Sequence, residues 1–136
     1  MSGFPASTPG CRAAWGWGSR MRISDFSFGS VRVDGVTYDH DLIIDRGRLR
    51  KRKKAVSKKF RHAYGHTPLS IAEDIPWQCR RLVIGTGANG RLPVREEVET
   101  EARRRKVDLV VLPTAQAIEA LAGKSADTNA ILHLTC

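Results

Sequence analysis

Several features that the sequence lacks narrow its possible functions. No apolar run approaches the roughly 20 residues of a membrane-spanning helix, so the chain is interpreted as soluble. The cysteines Cys11, Cys79 and Cys136 are few, odd in number and widely spaced. That spacing excludes a disulfide framework and a short chelating pair, so we expect a reducing compartment, the cytoplasm, with the mitochondrion as the alternative. No cofactor or metal is predicted.

Side chains spaced for catalysis are also lacking. No Ser-His-Asp, paired-carboxylate or zinc-ligand pattern occurs, and His62 and His66 have no acid or cysteine close in sequence. His133 and Cys136 lie three residues apart, which on a strand would point them to opposite faces. We therefore interpret His133 as a core histidine with its hydrogen bonds satisfied. The sequence favours a protein that is not an enzyme.

Acidic residues are missing from one stretch, the basic segment 46–61, which holds ten Lys and Arg residues. The formal net charge of +9 comes from this segment, because the remaining 13 basic and 14 acidic residues nearly balance. No apolar face survives in it, which favours a solvated strand edge or an extended loop, where lysines often protect a sheet edge. The alternative is contact with the phosphates of nucleic acid or another polyanion. The candidates for that contact are Arg48, Arg50, Lys51, Arg52, Lys53, Lys54, Lys58, Lys59 and Arg61.

The first twenty residues also lack acids, and they contain neither helical nor strand periodicity. The lack of a continuous apolar stretch disfavours a secretory signal. Three interpretations stay open: a disordered N-terminal extension, a misassigned start with translation beginning at Met21, and a mitochondrial presequence. The folded domain is expected to span residues 21–136.

What the chain does contain is a succession of strands followed by a strand-and-helix alternation. The stretch Val31–Tyr38 alternates on both sides of Asp34-Gly35, a dipeptide that favours a type I′ turn, so a β-hairpin is predicted. Leu42–Ile44 is a further apolar piece. Thr67-Pro68 is typical of a helix start, with threonine as N-cap and proline in the first turn.

The second half supplies three apolar strands, Leu82–Ile84, Val107–Leu112 and Ala130–Cys136. Between them, helices are predicted to begin near Pro93 and at Pro113-Thr114, the second of them ending at Gly123. Such alternation indicates an α/β class. We predict a single domain with a mixed central β-sheet, an N-terminal β-hairpin and helices packed on the sheet in three layers.

The glycine loop, Gly85–Gly90, follows the first of these strands and matches G-x-G-x-x-G. A dinucleotide fold is disfavoured because the next helix begins too late, at Pro93, and because the next strand ends in Leu112-Pro113-Thr114 rather than in an acid. The loop amides could still bind a small anion, with help from the side chains of Thr86 and Asn89. Parallel strands would bring the loop beside Thr114. The other interpretation is a simple turn.

From Met21 onward the chain resembles a domain family named after a methanobacterial hypothetical protein. That family includes the adipogenesis-associated protein and mitochondrial complex I assembly factor three. The resemblance is carried, in this order, by Phe28-Gly29, Val33-Asp34-Gly35 with Tyr38, Leu82–Gly90, Thr114–Ala117 and Leu132-His133-Leu134-Thr135-Cys136. It implies one compact α/β domain without an established enzymatic activity.

The resemblance also implies which residues border a small pocket: Gly85, Thr86, Gly87, Gly90, Thr114 and His133. Two features depart from the family pattern. Leu121-Ala122 stands where relatives often have Tyr-Asn, and the basic segment is longer and more charged than expected.

The leading functional prediction is therefore a non-catalytic domain that binds a protein partner, in assembly or regulation, with a small pocket at the glycine loop. The first alternative is binding of nucleic acid or another polyanion through the basic segment. The second is an enzyme or carrier that seats a small anionic ligand on the glycine loop.

Overall fold

The computed structural model describes residues 22–60, 67–122 and 127–135. The N-terminal segment 1–20, Met21, His62, His66 and Cys136 lie outside the described residues, as does the predicted helix stop at Gly123.

A five-stranded mixed sheet forms the centre of the domain, in the strand order β5-β4-β8-β6-β7. Its strands are β4 (Leu42–Asp45), β5 (Arg48–Lys51), β6 (Arg81–Thr86), β7 (Asp108–Leu112) and β8 (Thr128–His133). β6 pairs in parallel with both β7 and β8, whereas β4 is antiparallel to β5 and β8. The prediction of a mixed central sheet is confirmed.

A smaller antiparallel sheet consists of β1 (Ile23–Ser27), β2 (Ser30–Val33) and β3 (Val36–Tyr38). The predicted hairpin connects β2 to β3, and its turn residues Asp34 and Gly35 both have positive φ, at 50° and 83°. A type I′ turn requires this pair of angles. The local sequence was therefore sufficient to define this turn.

Two helices cover opposite faces of the central sheet. Helix α1 (Glu96–Arg104) packs Val98 and Ala102 in one core with Leu82 and Ile84. Helix α2 (Thr114–Leu121) packs on the other core, which contains Val83. Since neighbouring residues of a strand point to opposite faces, β6 contributes to both cores. The predicted three-layer arrangement follows from this alternation.

The small sheet lies on the α2 side. Its buried Val31 and Val33 pack with Leu42 and Leu134. On that side the cover of the central sheet is thus shared between a helix and a hairpin sheet.

The predicted helix at Thr67-Pro68 is wrong. Leu69 instead forms an isolated parallel bridge with Val94, in which the Leu69 amide donates to Pro93 O and the Arg95 amide donates to Leu69 O. The bridge holds both segments extended, so the next helix begins at Glu96 rather than near Pro93. A long-range pairing has overridden two local helix-start signals.

Candidate functional site

The glycine loop at the end of β6 packs against its own chain. A Cβ added at Gly85 would lie 2.8 Å from Oγ1 of Thr114, and one at Gly87 would overlap the carbonyl oxygen of Thr135. Gly87 also has a φ of 104°, a value that side chains other than glycine rarely adopt. Close approach between segments therefore explains these two glycines.

Three amides of the loop donate hydrogen bonds within the chain. Gly87 N donates to Oγ1 of Thr114, Ala88 N donates to the carbonyl of Thr135, and Gly90 N closes a turn on Gly87 O. The Thr86 hydroxyl donates to Leu112 O at 3.1 Å. Asn89 and Gly90 are exposed at the rim of the loop. An anion could bind these three amides only by replacing their acceptors in the chain.

Thr114 joins the three segments that meet here. Its buried hydroxyl accepts from Gly87 N at 2.8 Å and donates to His133 O at 2.6 Å, while its own amide donates to Gly87 O. Sequence reasoning placed the loop beside Thr114, and the structure brings them together. Gly85, Thr86, Gly87, Thr114 and His133 are buried side by side, with Asn89 and Gly90 above them.

His133 is buried and has a polar atom near each ring nitrogen. Nδ1 lies 2.6 Å from Oδ2 of Asp41, and Nε2 lies 3.3 Å from Oγ1 of Thr135. Asp41 also accepts from the amide of Leu134. This is the environment of a satisfied core histidine.

The pKa of Asp41 reflects this environment. Burial of the carboxyl opposes ionisation, but the His133 hydrogen bond and charge, the Leu134 amide and the Arg52 charge together lower the pKa to about 2. Asp41 is therefore held as a carboxylate. Sequence reasoning missed it, because 92 residues separate it from His133 and no local pattern marks the pair.

Arg52 is also buried and belongs to the same polar cluster. Its guanidinium binds Glu73 through two hydrogen bonds of 2.7 and 2.9 Å, and Nη1 lies 3.0 Å from Oδ2 of Asp41. Burial lowers the pKa of Arg52, but Glu73 and Asp41 raise it further, so the net shift is upward. The hydroxyl of Ser57 donates to Glu73 at 2.6 Å and lies 2.6 Å from Oγ of Ser70.

The cluster fixes the basic segment on the fold. Among its residues 46–58, whose burial the structure describes, Arg52 and Ser57 are buried, and both contact Glu73. The segment comprises strand β5 at one edge of the sheet and a 3₁₀ helix, Ala55–Phe60. An edge location was one of the expectations, whereas the burial of Arg52 was not foreseen.

The other cations of this segment divide into two groups. Arg46 and Arg50 form ion pairs with Asp45, and Arg50 also pairs with Asp74. A second group is exposed, and none of its members forms an ion pair with a described residue; we call it the basic edge, and it consists of Arg48, Lys51, Lys53, Lys54 and Lys58. The Lys59 side chain and Arg61 are outside the described part of the chain.

A cleft of about 400 Å³ lies near the start of β5. Its cationic members are Arg46, Arg50 and Arg105, all of them ion-paired, and Arg105 also lies 5.3 Å above the ring of Trp77. Because the cations of the cleft are already paired with acids, the cleft should attract an anionic ligand less strongly than the basic edge does.

No group of three or more His, Cys, Asp or Glu side chains is placed to hold a metal ion within ranges 22–60, 67–122 and 127–135. In the same ranges, no helix is long and apolar enough to cross a membrane.

The fold and site together define a mixed α/β domain whose glycine loop is a packed turn, and which holds a basic edge on a buried ion-pair cluster. The chain belongs to the family of proteins of unknown function DUF498/DUF598, whose model matches residues 23–133. No curated protein gives a significant match.

Solved structures agree with this assignment. The conserved hypothetical protein PH1505 of Pyrococcus horikoshii OT3 is 31% identical over 85% of this chain and all of its own, with a TM-score of 0.67. A protein described as MT938 is 27% identical over 85% of this chain and 99% of its own, with a TM-score of 0.62. A Mth938-like domain from Bordetella pertussis shares the fold at 16% identity, over 94% of this chain and 90% of its own, with a TM-score of 0.53.

Proposed function

We propose that this domain is non-catalytic and acts by binding a protein partner, in assembly or regulation, through its basic edge. The observation that carries the proposal is the contrast within the basic segment. Arg52 and Ser57 are buried against Glu73, while the five cations of the basic edge point to solvent without an acidic partner among the described residues.

A surface of this kind is suited to recognition. Like charges held close together repel one another, and an acidic partner relieves that repulsion while being steered toward the site. A flexible basic tail would lose conformational freedom on binding. Here Arg52 and Ser57 are already fixed in the folded domain, so less conformational entropy is lost when the partner binds.

The matching model is described as a protein of unknown function and PH1505 as a conserved hypothetical protein, so neither assigns an activity to the family. The sequence resembles a domain family that includes complex I assembly factor three, and this resemblance is the reason for proposing assembly as the setting. The cytoplasm remains the proposed location, with the mitochondrion as the alternative.

A small ligand at the glycine loop is the weaker candidate, whether the protein is a carrier or an enzyme. Such a ligand would have to reach the loop at its exposed rim, at Asn89 and Gly90. The amides beneath that rim donate to the chain itself. A pocket there would require the loop to give up contacts with Thr114 and Thr135.

The test is co-purification from cells of the source organism with two matched variants. Lys51→Gln, Lys53→Gln and Lys54→Gln together remove three charges from the basic edge. Arg91→Gln, Arg103→Gln and Lys106→Gln together remove three exposed charges elsewhere. We expect a defined protein to accompany the wild type and the control variant, and to be lost from the basic-edge variant.

Unfolding in urea establishes that both variants remain folded. An identical set of proteins with all three chains would refute the role of the basic edge. A reproducible catalytic turnover that is lost with Thr86→Ala or His133→Ala would refute the non-catalytic assignment.

A further inference from the structure

We infer that the outer edge of β5 accepts an extended, acidic segment of the partner as an additional strand of the central sheet. This inference rests on the proposed function and specifies how the partner is bound. β5 is the terminal strand in the order β5-β4-β8-β6-β7, and no described strand pairs with its outer side.

The pattern of hydrogen bonds between β4 and β5 shows which backbone groups of β5 face outward. The Arg52 amide donates to Asp41 O, which identifies that pair as hydrogen-bonded. Along an antiparallel ladder, hydrogen-bonded and non-hydrogen-bonded residue pairs alternate. The pair of Arg50 and Ile43 is therefore also hydrogen-bonded, whereas the backbone N–H and C=O groups of Leu49 and Lys51 point away from β4. The amides and carbonyls of Leu49 and Lys51 are therefore the ones that an incoming strand would meet.

The charge on this edge selects the occupant. Arg48 and Lys51 lie in the strand, Lys53 and Lys54 follow it, and residues 46–61 contain no acid. A second copy of β5 would set cations against cations, which is destabilising across a strand pair. Aspartate or glutamate at alternate positions of an added strand would instead form opposite-charge pairs. The occupant is thus an acidic strand and not another β5.

A peptide fits this edge better than a nucleic acid does. Binding to single strands relies on aromatic side chains on which bases stack. Residues 46–58 contain no aromatic residue. The open backbone groups of Leu49 and Lys51 add hydrogen bonds for a peptide main chain, which is how strand addition gains affinity.

The opposite edge of the sheet has a different character. β7 carries only Asp108 as a charged residue, and its Val111 is exposed. An acidic strand finds no compensating cations within β7. The two edges therefore distinguish partners by charge, and only β5 suits an acidic one.

The experiment measures fluorescence anisotropy of a short labelled peptide in which glutamate and valine alternate. Two further peptides carry N-methyl groups on alternate residues, one set on each edge of the peptide strand. N-methylation removes hydrogen-bond donors and keeps the charge, so it separates strand pairing from simple attraction. We expect one methylated peptide to bind roughly tenfold more weakly, as the loss of one or two hydrogen bonds implies, and the other to bind normally.

A second comparison uses the protein side of the same contact. Lys51→Pro and Lys51→Gln both remove the charge, but only proline removes the outward amide donor. Proline is tolerated where the amide faces away from the sheet, and urea unfolding confirms that both variants fold. We expect Lys51→Pro to bind the peptide more weakly than Lys51→Gln does.

Three results would overturn strand addition. Equal binding of both methylated peptides would reduce the contact to charge attraction, while leaving the basic edge as a binding surface. Salt-sensitive binding of duplex or single-stranded DNA with no binding of the peptide would assign the edge to nucleic acid. Absence of peptide binding at low salt would also reject the inference, whereas the proposed function fails separately, in the co-purification test.

Discussion

Arg52 and Glu73 form an ion pair that is closed to water, with side chains 0% and 2% exposed and Nε 2.7 Å from Oε1. A buried charge is tolerated only when its partner remains in place. Here Glu73 also accepts from Ser57, and Arg52 also binds Asp41. The pair therefore supports the whole basic segment, and its removal makes a sharp test of the cluster.

Arg52→Met should lower the free energy of unfolding by about 3–5 kcal/mol, because methionine fills similar space but leaves Glu73 buried without its counter-ion. Arg48→Met, at an exposed position of the same strand, should change it by less than about 0.5 kcal/mol. Adding Glu73→Gln to Arg52→Met should recover part of the loss. Urea unfolding measures all three, and equal effects at Arg52 and Arg48 would contradict the burial of the cluster.

Asp41 should make the free energy of unfolding depend on pH in the acidic range. Its folded pKa of about 2 lies below the ordinary value of 3.8, so its contribution is present above pH 4 and is lost as the pH falls toward 2. The size is about 2 kcal/mol, from the shift in pKa. The stability difference between the wild type and Asp41→Asn should therefore narrow over that window. A carboxyl titration by NMR checks the pKa directly, and a midpoint near 4 would contradict this account.

Gly87→Ala should destabilise the domain far more than Gly35→Ala does. Both positions have positive φ, so each substitution incurs roughly 1–2 kcal/mol of backbone strain. A Cβ at Gly35 meets nothing within 4 Å, whereas one at Gly87 overlaps the carbonyl of Thr135. We expect Gly87→Ala to lower the free energy of unfolding by more than about 3 kcal/mol, or to prevent folding. Similar melting temperatures for the two variants would show that the loop is not closed on Thr135.

Thr114→Val should lower the free energy of unfolding by about 2–4 kcal/mol, because it leaves the Gly87 amide and the His133 carbonyl without their hydroxyl partner. Valine has nearly the same volume as threonine, so the packing changes little. Thr114→Ser keeps that hydroxyl and is the matched control. Hydrogen exchange at the Gly87 amide should accelerate in the valine variant alone. Unchanged exchange there would mean that the Thr114 hydroxyl is not its acceptor.

The sequence predicts structure well where the determinants are local. Asp34-Gly35 is sufficient to define its hairpin, and the short apolar run around Leu82 is sufficient to define a buried strand. Thr67-Pro68 gives an equally clear local signal, yet the bridge between Leu69 and Val94 overrides it. Two segments that meet only in the folded chain leave no mark in either local sequence.

The candidate site also divides into parts that local sequence predicts and parts that depend on long-range contacts. Within a basic segment, Arg52 looks like its neighbours, and its burial depends on Glu73 and Asp41, which lie outside that segment. Asp41 follows Asp39-His40 in a connecting stretch and reaches His133 only through the pairing of β4 with β8. The glycine loop could be placed beside Thr114 because parallel strands end at a common edge.

The place of β8 in the sheet has a consequence for synthesis on the ribosome. β8 lies between β4 and β6 and pairs with both, although it comes last in chain order among the described strands. β4 therefore has its β8 neighbour only after residue 133 has been translated and has left the exit tunnel. Until then the edges of β4 and β6 that will receive it have no strand between them, which makes the incomplete sheet prone to aggregation during that interval.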